Sequence, residues 1–318
     1  MSDLLPGRFA LGTANLGNLY APMSDGQAHA VLEAAWDAGV RYFDTAPHYG
    51  LGLSERRLGA FLATKPRDEF VVSTKAGRLL VPDPAGAAGL DLAHLFHVPA
   101  DRRRVWDFSA DGVRRSLEGS LANLGLDRVD LLYLHDPEEY DLGKALAEGL
   151  PALAGLRAEG AVSGIGIGSK SAPALAAGAR SGLLDVLMVA GRFTLLDQEA
   201  LDELLPECRA RGLDLAAAGV FNSGLLATPS PSETARYEYG AVPPGILVRA
   251  REIAAVCAEF AVDLPTAALH YPLREAAVAT VVAGAATPEE VRQNARRLEG
   301  PVPGELWTTL REKGLIRQ

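Results

Sequence analysis

Short apolar runs alternate with longer stretches in which apolar positions recur every three or four residues, almost to the end of the chain. The short runs read as buried strands at Phe9 to Gly12, Arg41 to Asp44, Phe70 to Lys75, Val129 to His135, Val162 to Ile167, Val186 to Ala190, Leu213 to Ala217 and Ala277 to Val282. Between them, helical spacing predicts helices at Ser54 to Ala63, Ser109 to Leu124, Leu142 to Glu159, Ala172 to Ser181, Gln198 to Arg211, Ile246 to Phe260 and Pro288 to Leu298. The first helix shows the logic: Ser24 or Asp25 caps it, Val31, Leu32, Ala35 and Trp36 share a face, and Gly39 supplies the left-handed stop. Eight strands, each followed by a helix, predict an α/β fold of the (β/α)8 TIM barrel type, a single domain over residues 1–318. Two stretches break the rhythm. Residues Gly77 to Phe108, with Pro82, Pro84, Pro99, Phe96, Trp106 and Phe108, form a long loop after the third strand, and Gly219 to Pro244 form another after the seventh. Long loops at this rim are expected to be lids or binding loops.

Composition narrows the partner. Hydrophobic residues make up 48% of the chain and charged residues 22%, ordinary globular usage. The net charge of -9 is spread along the sequence, which argues against nucleic acid or an anionic membrane surface and for a small molecule. Cys208 and Cys257 lie in helix-like stretches outside any C-x-x-C pair and read as inert buried thiols. The segment Met1 to Arg8 lacks the basic start and apolar core of a signal peptide, and no apolar stretch is long enough for a membrane span, so a cytoplasmic location is expected. Nothing in the chain sets an oligomeric state.

The chemistry concentrates where strands should end. Asp44 and Tyr49 are five residues apart, Lys75 closes the third strand and His135 the fourth. A carboxylate, a phenol, an amine and an imidazole at adjacent strand ends are the parts needed to move a proton beside a carbonyl. A free phenol titrates near pH ~10, and a neighbouring cation favours its ionised form, so Lys75 is expected to lower the Tyr49 pKa by roughly 2 units while Asp44 holds the amine. His135 would hydrogen-bond the substrate oxygen.

The segment Phe43-Asp44-Thr45-Ala46-Pro47-His48-Tyr49-Gly50-Leu51-Gly52-Leu53-Ser54-Glu55, with Ser73-Thr74-Lys75 and Leu134-His135-Asp136-Pro137, resembles the aldo-keto reductase superfamily. The resemblance runs from Leu11 to about Leu298 and implies that Asp44, Tyr49, Lys75 and His135 form a catalytic tetrad. Gly17 to Tyr20, Gly77 to Leu80, Asp107 to Gly112, Ala190 to Gln198 and Gly219 to Leu226 are similar to the sugar 1-dehydrogenase branch, to which a pyridoxal 4-dehydrogenase is also similar.

The resemblance also implies a nicotinamide dinucleotide on the barrel rim, near Gly12 and Thr13, with Ser169 facing the carboxamide and Phe193 the ring. Phe221, Asn222, Ser223, Gly224 and Leu226 would wrap the pyrophosphate, and Gln293 and Asn294 would reach the adenine. Relatives more often carry Asn at Ser169 and Gln at Ala190. Relatives that use NADP tend to have Lys-Ser at Gly284-Ala285 and Arg at Glu290. A carboxylate repels a 2'-phosphate but can accept from a ribose hydroxyl, so the expected cofactor is NAD, with NADP admitted through Arg292.

The implied reaction is oxidation of a cyclic hemiacetal to a lactone, on an aldose such as L-fucose, D-arabinose or L-galactose, or on pyridoxal. Asn18, Tyr20, His48, Trp106 and Asp136 are the expected substrate residues, with Arg78 a further candidate. Other classes fit less well: an NADPH carbonyl reductase, a nucleotide-sensing subunit on the same fold, or a Schiff-base aldolase, which has no need of the tyrosine. Gly164-Ile165-Gly166-Ile167-Gly168 lacks the last glycine of a Rossmann fingerprint, where Ser169 stands. His94 and His97 lack partners for a metal, so none is expected, and Arg102-Arg103-Arg104 reads as a solvated loop face.

Overall fold

The computed structural model describes residues 4–317. Eight parallel strands close into a barrel: β1 (Phe9–Gly12), β2 (Tyr42–Asp44), β3 (Val71–Ala76), β4 (Leu131–His135), β5 (Gly164–Ser169), β6 (Val186–Ala190), β7 (Asp214–Ala218) and β8 (Val278–Gly284). Strands adjacent in the chain are adjacent in the barrel, and β8 returns to pair with β1, Gly284 opposite Gly12. Every residue of β2, β4 and β5 is buried, because helices cover one face of the sheet and the barrel interior takes the other. The expected (β/α)8 barrel is therefore the observed one.

The interior explains where the reactive groups emerge. Ala10, Tyr42, Leu131, Tyr133, Val186, Met188, Ala216 and Val282 form one inward cluster with Leu5. Side chains alternate along a strand, so the face that presents Tyr42 next presents Asp44, and the face that presents Tyr133 next presents His135. In β5 the middle glycine is a packing requirement: a β-carbon on Gly166 would lie 2.3 Å from the Val186 carbonyl oxygen and 2.7 Å from the Tyr133 ring.

The helices follow the sequence with three differences. The first, Asp25–Asp37, has Ser24 capping it through the Gln27 amide, and Gly39 has φ 81°. The predicted helix Leu142 to Glu159 is interrupted by a π-type turn at Ala145–Gly149, just before Pro151, whose missing N–H breaks the regular bonding. The predicted helix from Gln198 becomes a short 3-10 turn, Glu199–Leu201, and the α-helix Leu204–Arg211, which begins two residues before Pro206. Helices Leu264–His270 and Gly304–Glu312 were not predicted. No single helix among the described residues is long and apolar enough to cross a membrane. Cys208 and Cys257 are free and buried, and burial pushes both thiols up to about 12.

Both long loops have structure. The first rises from β3 as an antiparallel hairpin, Arg78–Pro82 against Arg102–Trp106, with Leu80 opposite Arg104. Its tip folds back over the barrel rim: Phe96 and Val98 pack with Leu51 against Tyr49, Leu19 and Leu80, and the backbone of Tyr20 donates to Leu95. The second carries a two-residue hairpin, Arg236–Tyr237 against Gly240–Ala241.

Candidate active site

Asp44, Tyr49, Lys75 and His135 meet at the C-terminal end of the barrel. The Lys75 ammonium is 3% exposed and uses all three donors, to Asp44 Oδ2 at 2.7 Å, the Thr45 carbonyl at 2.9 Å and the Tyr49 hydroxyl at 3.2 Å. Asp44 Oδ1 accepts from Ser73 at 2.7 Å, and Ser73 meets the Tyr42 hydroxyl at 3.0 Å, so the ion pair stands on a polar layer inside the barrel. An ion pair this buried is costly unless its remaining polar groups are satisfied, and here they are. The Tyr49 and His135 rings meet edge to face at 5.9 Å.

The protonation states follow from burial against charge. Burial opposes the Lys75 charge, but the Asp44 carboxylate, with the hydrogen bond to Tyr49, outweighs it and holds the ammonium above its ordinary value. For Tyr49 the balance falls the other way: burial raises its pKa above 10.0 and Lys75 lowers it only in part. The expected lowering of the phenol by Lys75 is therefore corrected: in the unliganded protein Tyr49 is a protonated phenol. Burial, then the nearby Arg78 and Lys75 charges, hold His135 well below the ordinary imidazole value, so it is neutral.

Tyr49 is carried by a tight loop. A β-carbon on Gly50 would lie 2.2 Å from the Gly17 carbonyl oxygen, and one on Gly17 would lie 2.7 Å from the Tyr49 carbonyl carbon, so the two loops touch backbone to backbone and only glycine fits at either.

Several predicted site residues take other work. Thr13 is wholly buried, its hydroxyl donating to the Asp44 carbonyl at 2.8 Å and accepting from Ser54, so its side chain braces the end of β2. Asn18 clasps loops: its amide donates to His97, and its oxygen accepts from Met23 and Arg57. Trp106 stacks on Tyr140 at 5.7 Å and carries the Arg78 guanidinium at 4.5 Å, which anchors the hairpin. Gln293 donates to Glu289 at 3.1 Å. The Ser169 hydroxyl donates to Glu138 at 2.5 Å and accepts from the Ser171 amide.

Others line the rim. Asp136, in a left-handed backbone conformation, pairs with Arg78 at 2.5 Å and lies 3.5 Å from His135, and burial pushes its carboxyl up to about 6 against the pull of Arg78. Tyr20 lies under Arg236 and beside Tyr239 of the second insertion, its hydroxyl buried with no partner among the described residues. Glu238 of that insertion is held by Lys170 at 2.5 Å and by both amino groups of Arg192, at 2.9 and 3.0 Å. Phe193 packs on Tyr271, and Gly12 and Gly284 leave the rim between β1 and β8 without side chains. Asn222, at φ 46°, is 2% exposed and both its amide atoms lack partners, as does Glu138 Oε2. Buried polar atoms without partners are rare in folded proteins, and these mark places for a polar ligand or water to bind. No group of His, Cys, Asp or Glu among the described residues is arranged to hold a metal.

Sequence reasoning missed Arg104 and Ser73. Ser73 could have been found from period-two spacing, one turn of the pleat below Lys75. Arg104 was read as solvent-facing with its neighbours, yet its side chain is 9% exposed while Arg102 and Arg103 are open to solvent.

A closed (β/α)8 barrel with an acid, phenol, amine and imidazole at its reactive end defines an oxidoreductase of the Aldo/keto reductase family, to which this chain belongs; the family profile matches residues 8–314. The chain is 56% identical to a D-threo-aldose 1-dehydrogenase from Pseudomonas sp, over 96% of this chain and 93% of the relative. It is 42% identical to a pyridoxal 4-dehydrogenase from Microbacterium luteolum, with the same coverage of 96% and 93%. In fold it is similar to the glycerol dehydrogenase from Gluconobacter oxydans, at a TM-score of 0.76 and 21% identity over 96% of this chain and 90% of that one.

Proposed function

We propose that the protein oxidises the anomeric hydroxyl of an aldose, such as L-fucose, D-arabinose or L-galactose, to the lactone, with NAD as hydride acceptor. The observation that carries this reading is Lys75 bridging Asp44 and Tyr49 at 2.7 and 3.2 Å beneath a neutral His135. The similarity to a D-threo-aldose 1-dehydrogenase supports the substrate class. The bound nicotinamide would take the hydride from the anomeric carbon. Tyr49, ionised for this direction, takes the hydroxyl proton; Lys75 stabilises the phenolate and Asp44 fixes Lys75; His135 hydrogen-bonds the reacting oxygen and orients it.

The residues present fit a dinucleotide. The partnerless Asn222 amide and the left-handed backbone of Asn222, Ser223 and Gly224 offer polar groups for the pyrophosphate, and Glu138 Oε2, which accepts from no described residue, can accept from a carboxamide. Glu290 accepts from the Ala286 amide at 2.7 Å, which supports a held carboxylate at the position where NADP-using relatives tend to carry a cation. Arg292 lies 3.9 Å from Glu289. NAD should therefore bind at least about tenfold more tightly than NADP, a difference of roughly 1.4 kcal/mol, as measured by fluorescence titration of the two cofactors. Equal or tighter binding of NADP would sink the preference and favour a carbonyl reductase.

Because the Tyr49 phenol sits above 10.0 in the resting protein, the fraction ionised grows with pH across the neutral range. The rate of oxidation at saturating cofactor should climb roughly tenfold per unit between about pH 7 and pH 9. A flat profile there would mean that another group accepts the proton.

Pyridoxal is the second reading, supported by the 42% identical pyridoxal 4-dehydrogenase; its closed form is also a hemiacetal, so the same residues would give the lactone. Absorbance of the reduced cofactor, followed with L-fucose, D-arabinose, L-galactose and pyridoxal under NAD and NADP, decides between them. Turnover of none of the four would return the protein to a nucleotide-sensing role.

A further inference from the structure

Besides Arg78, the first insertion reaches the site through Arg104, whose side chain is 9% exposed. Arg104 grips Asp91 with both amino groups, at 2.9 and 2.6 Å, donates from the second to the His48 carbonyl at 2.9 Å, and turns its Nε–H onto His48 Nδ1 at 2.6 Å. Asp91 is itself 7% exposed, tied by its backbone to Val98 and held well ionised, because its bonds to His94 and Arg104 outweigh its burial. A guanidinium has no acceptor and does not lose its proton, so a ring nitrogen facing it must be the unprotonated one. The neutral imidazole then carries its hydrogen on Nε2, which makes no hydrogen bond to any described residue. His48 stands edge on to His135 at 5.6 Å and 6.1 Å from the ring of Tyr49, within the reactive rim.

We propose that Arg104 is a positioning residue that locks His48 as a neutral Nε2–H donor, and that His48 in this form hydrogen-bonds an oxygen of the hemiacetal substrate other than the one that reacts. The proposal rests on the reading of the substrate as a hydroxyl-rich ring. Around His48, Arg104 and His94 come from the insertion, Arg78 from its other strand, Lys75 from β3 and His135 from β4. Burial and then the charges of Arg104, Arg78, His94 and Lys75 keep the imidazole well below its ordinary value, so the lock holds across neutral pH. The hairpin thus contributes a substrate contact without supplying the contacting side chain.

The test uses the full-length protein labelled with 15N. Ring-nitrogen shifts of its six histidines, followed between about pH 5 and pH 8, identify His48 by its loss in His48→Gln. In the wild type His48 should stay protonated at Nε2 alone throughout. In Arg104→Met it should titrate and populate both tautomers. Arg104→Lys keeps a charge for Asp91 but lacks the fork that reaches Nδ1, and should behave like Arg104→Met even if the latter folds poorly. In both variants, and in His48→Leu, KM for the aldose should rise about tenfold while kcat changes less than about threefold, the size of one lost hydrogen bond to substrate. A wild-type His48 that titrates, or carries its proton on Nδ1, overturns the lock. An unchanged KM in all three variants overturns the substrate contact. Failure of the aldose reading shows separately, as a wild type that turns over no sugar, and leaves the tautomer measurement intact.

Discussion

Tyr49→Phe should lower turnover by about a thousandfold or more, the scale of a lost general base, while the affinity for NAD changes little. The phenol is the one hydroxyl on Lys75, and Lys75 keeps two of its three partners, Asp44 and the Thr45 carbonyl, when it is removed. Stability in urea should therefore stay within about 1 kcal/mol of wild type. Single-turnover oxidation followed by absorbance, beside a cofactor titration, separates the two effects. Turnover retained within about tenfold would remove Tyr49 from the proton transfer.

The second large effect is on folding. Lys75→Met leaves the Asp44 carboxylate, 3% exposed, with Ser73 as its remaining side-chain donor and no counter-charge. Breaking a buried pair from one side costs about 3–5 kcal/mol, whereas replacing both ends is far milder. Lys75→Met should therefore lower the urea midpoint by that amount with an unchanged slope, and adding Asp44→Asn should restore most of the loss. A loss below about 1 kcal/mol for Lys75→Met would show that water reaches Asp44 and that the pair is not buried in solution. Both proteins should be inactive, so recovery of folding without recovery of turnover distinguishes the structural from the catalytic part of the ion pair.

The barrel and the four central residues were legible because both leave local marks. A strand buried on two faces is a short apolar run, and a charged residue that closes such a run is conspicuous. The roles of Thr13, Asn18 and Trp106 were not legible, since each depends on which distant segment arrives beside it: Ser54, His97 and Tyr140 lie 41, 79 and 34 positions away. Arg104 escaped for the same reason. Its strand pairs with Arg78–Pro82 across a loop rich in proline and glycine, and nothing in Arg102-Arg103-Arg104 says which of the three will face inward. The Tyr49 protonation state differs from the expectation because the sequence shows the neighbouring cation but not the burial of the phenol that opposes it.

The contact between Gly17 and Gly50 has a mechanical meaning. The β1 loop and the tyrosine loop meet backbone to backbone, with no side chain between them to repack, so a shift of one against the other would have to open that contact. The insertion after β7 is fastened both by apolar packing of Val220, Leu225, Leu226 and Tyr237 and by ion pairs from Glu238 to Lys170 and Arg192. Tyr49 itself is carried on backbone that packs directly against the β1 loop, so the phenol meets Lys75 from a support with no side chain to repack.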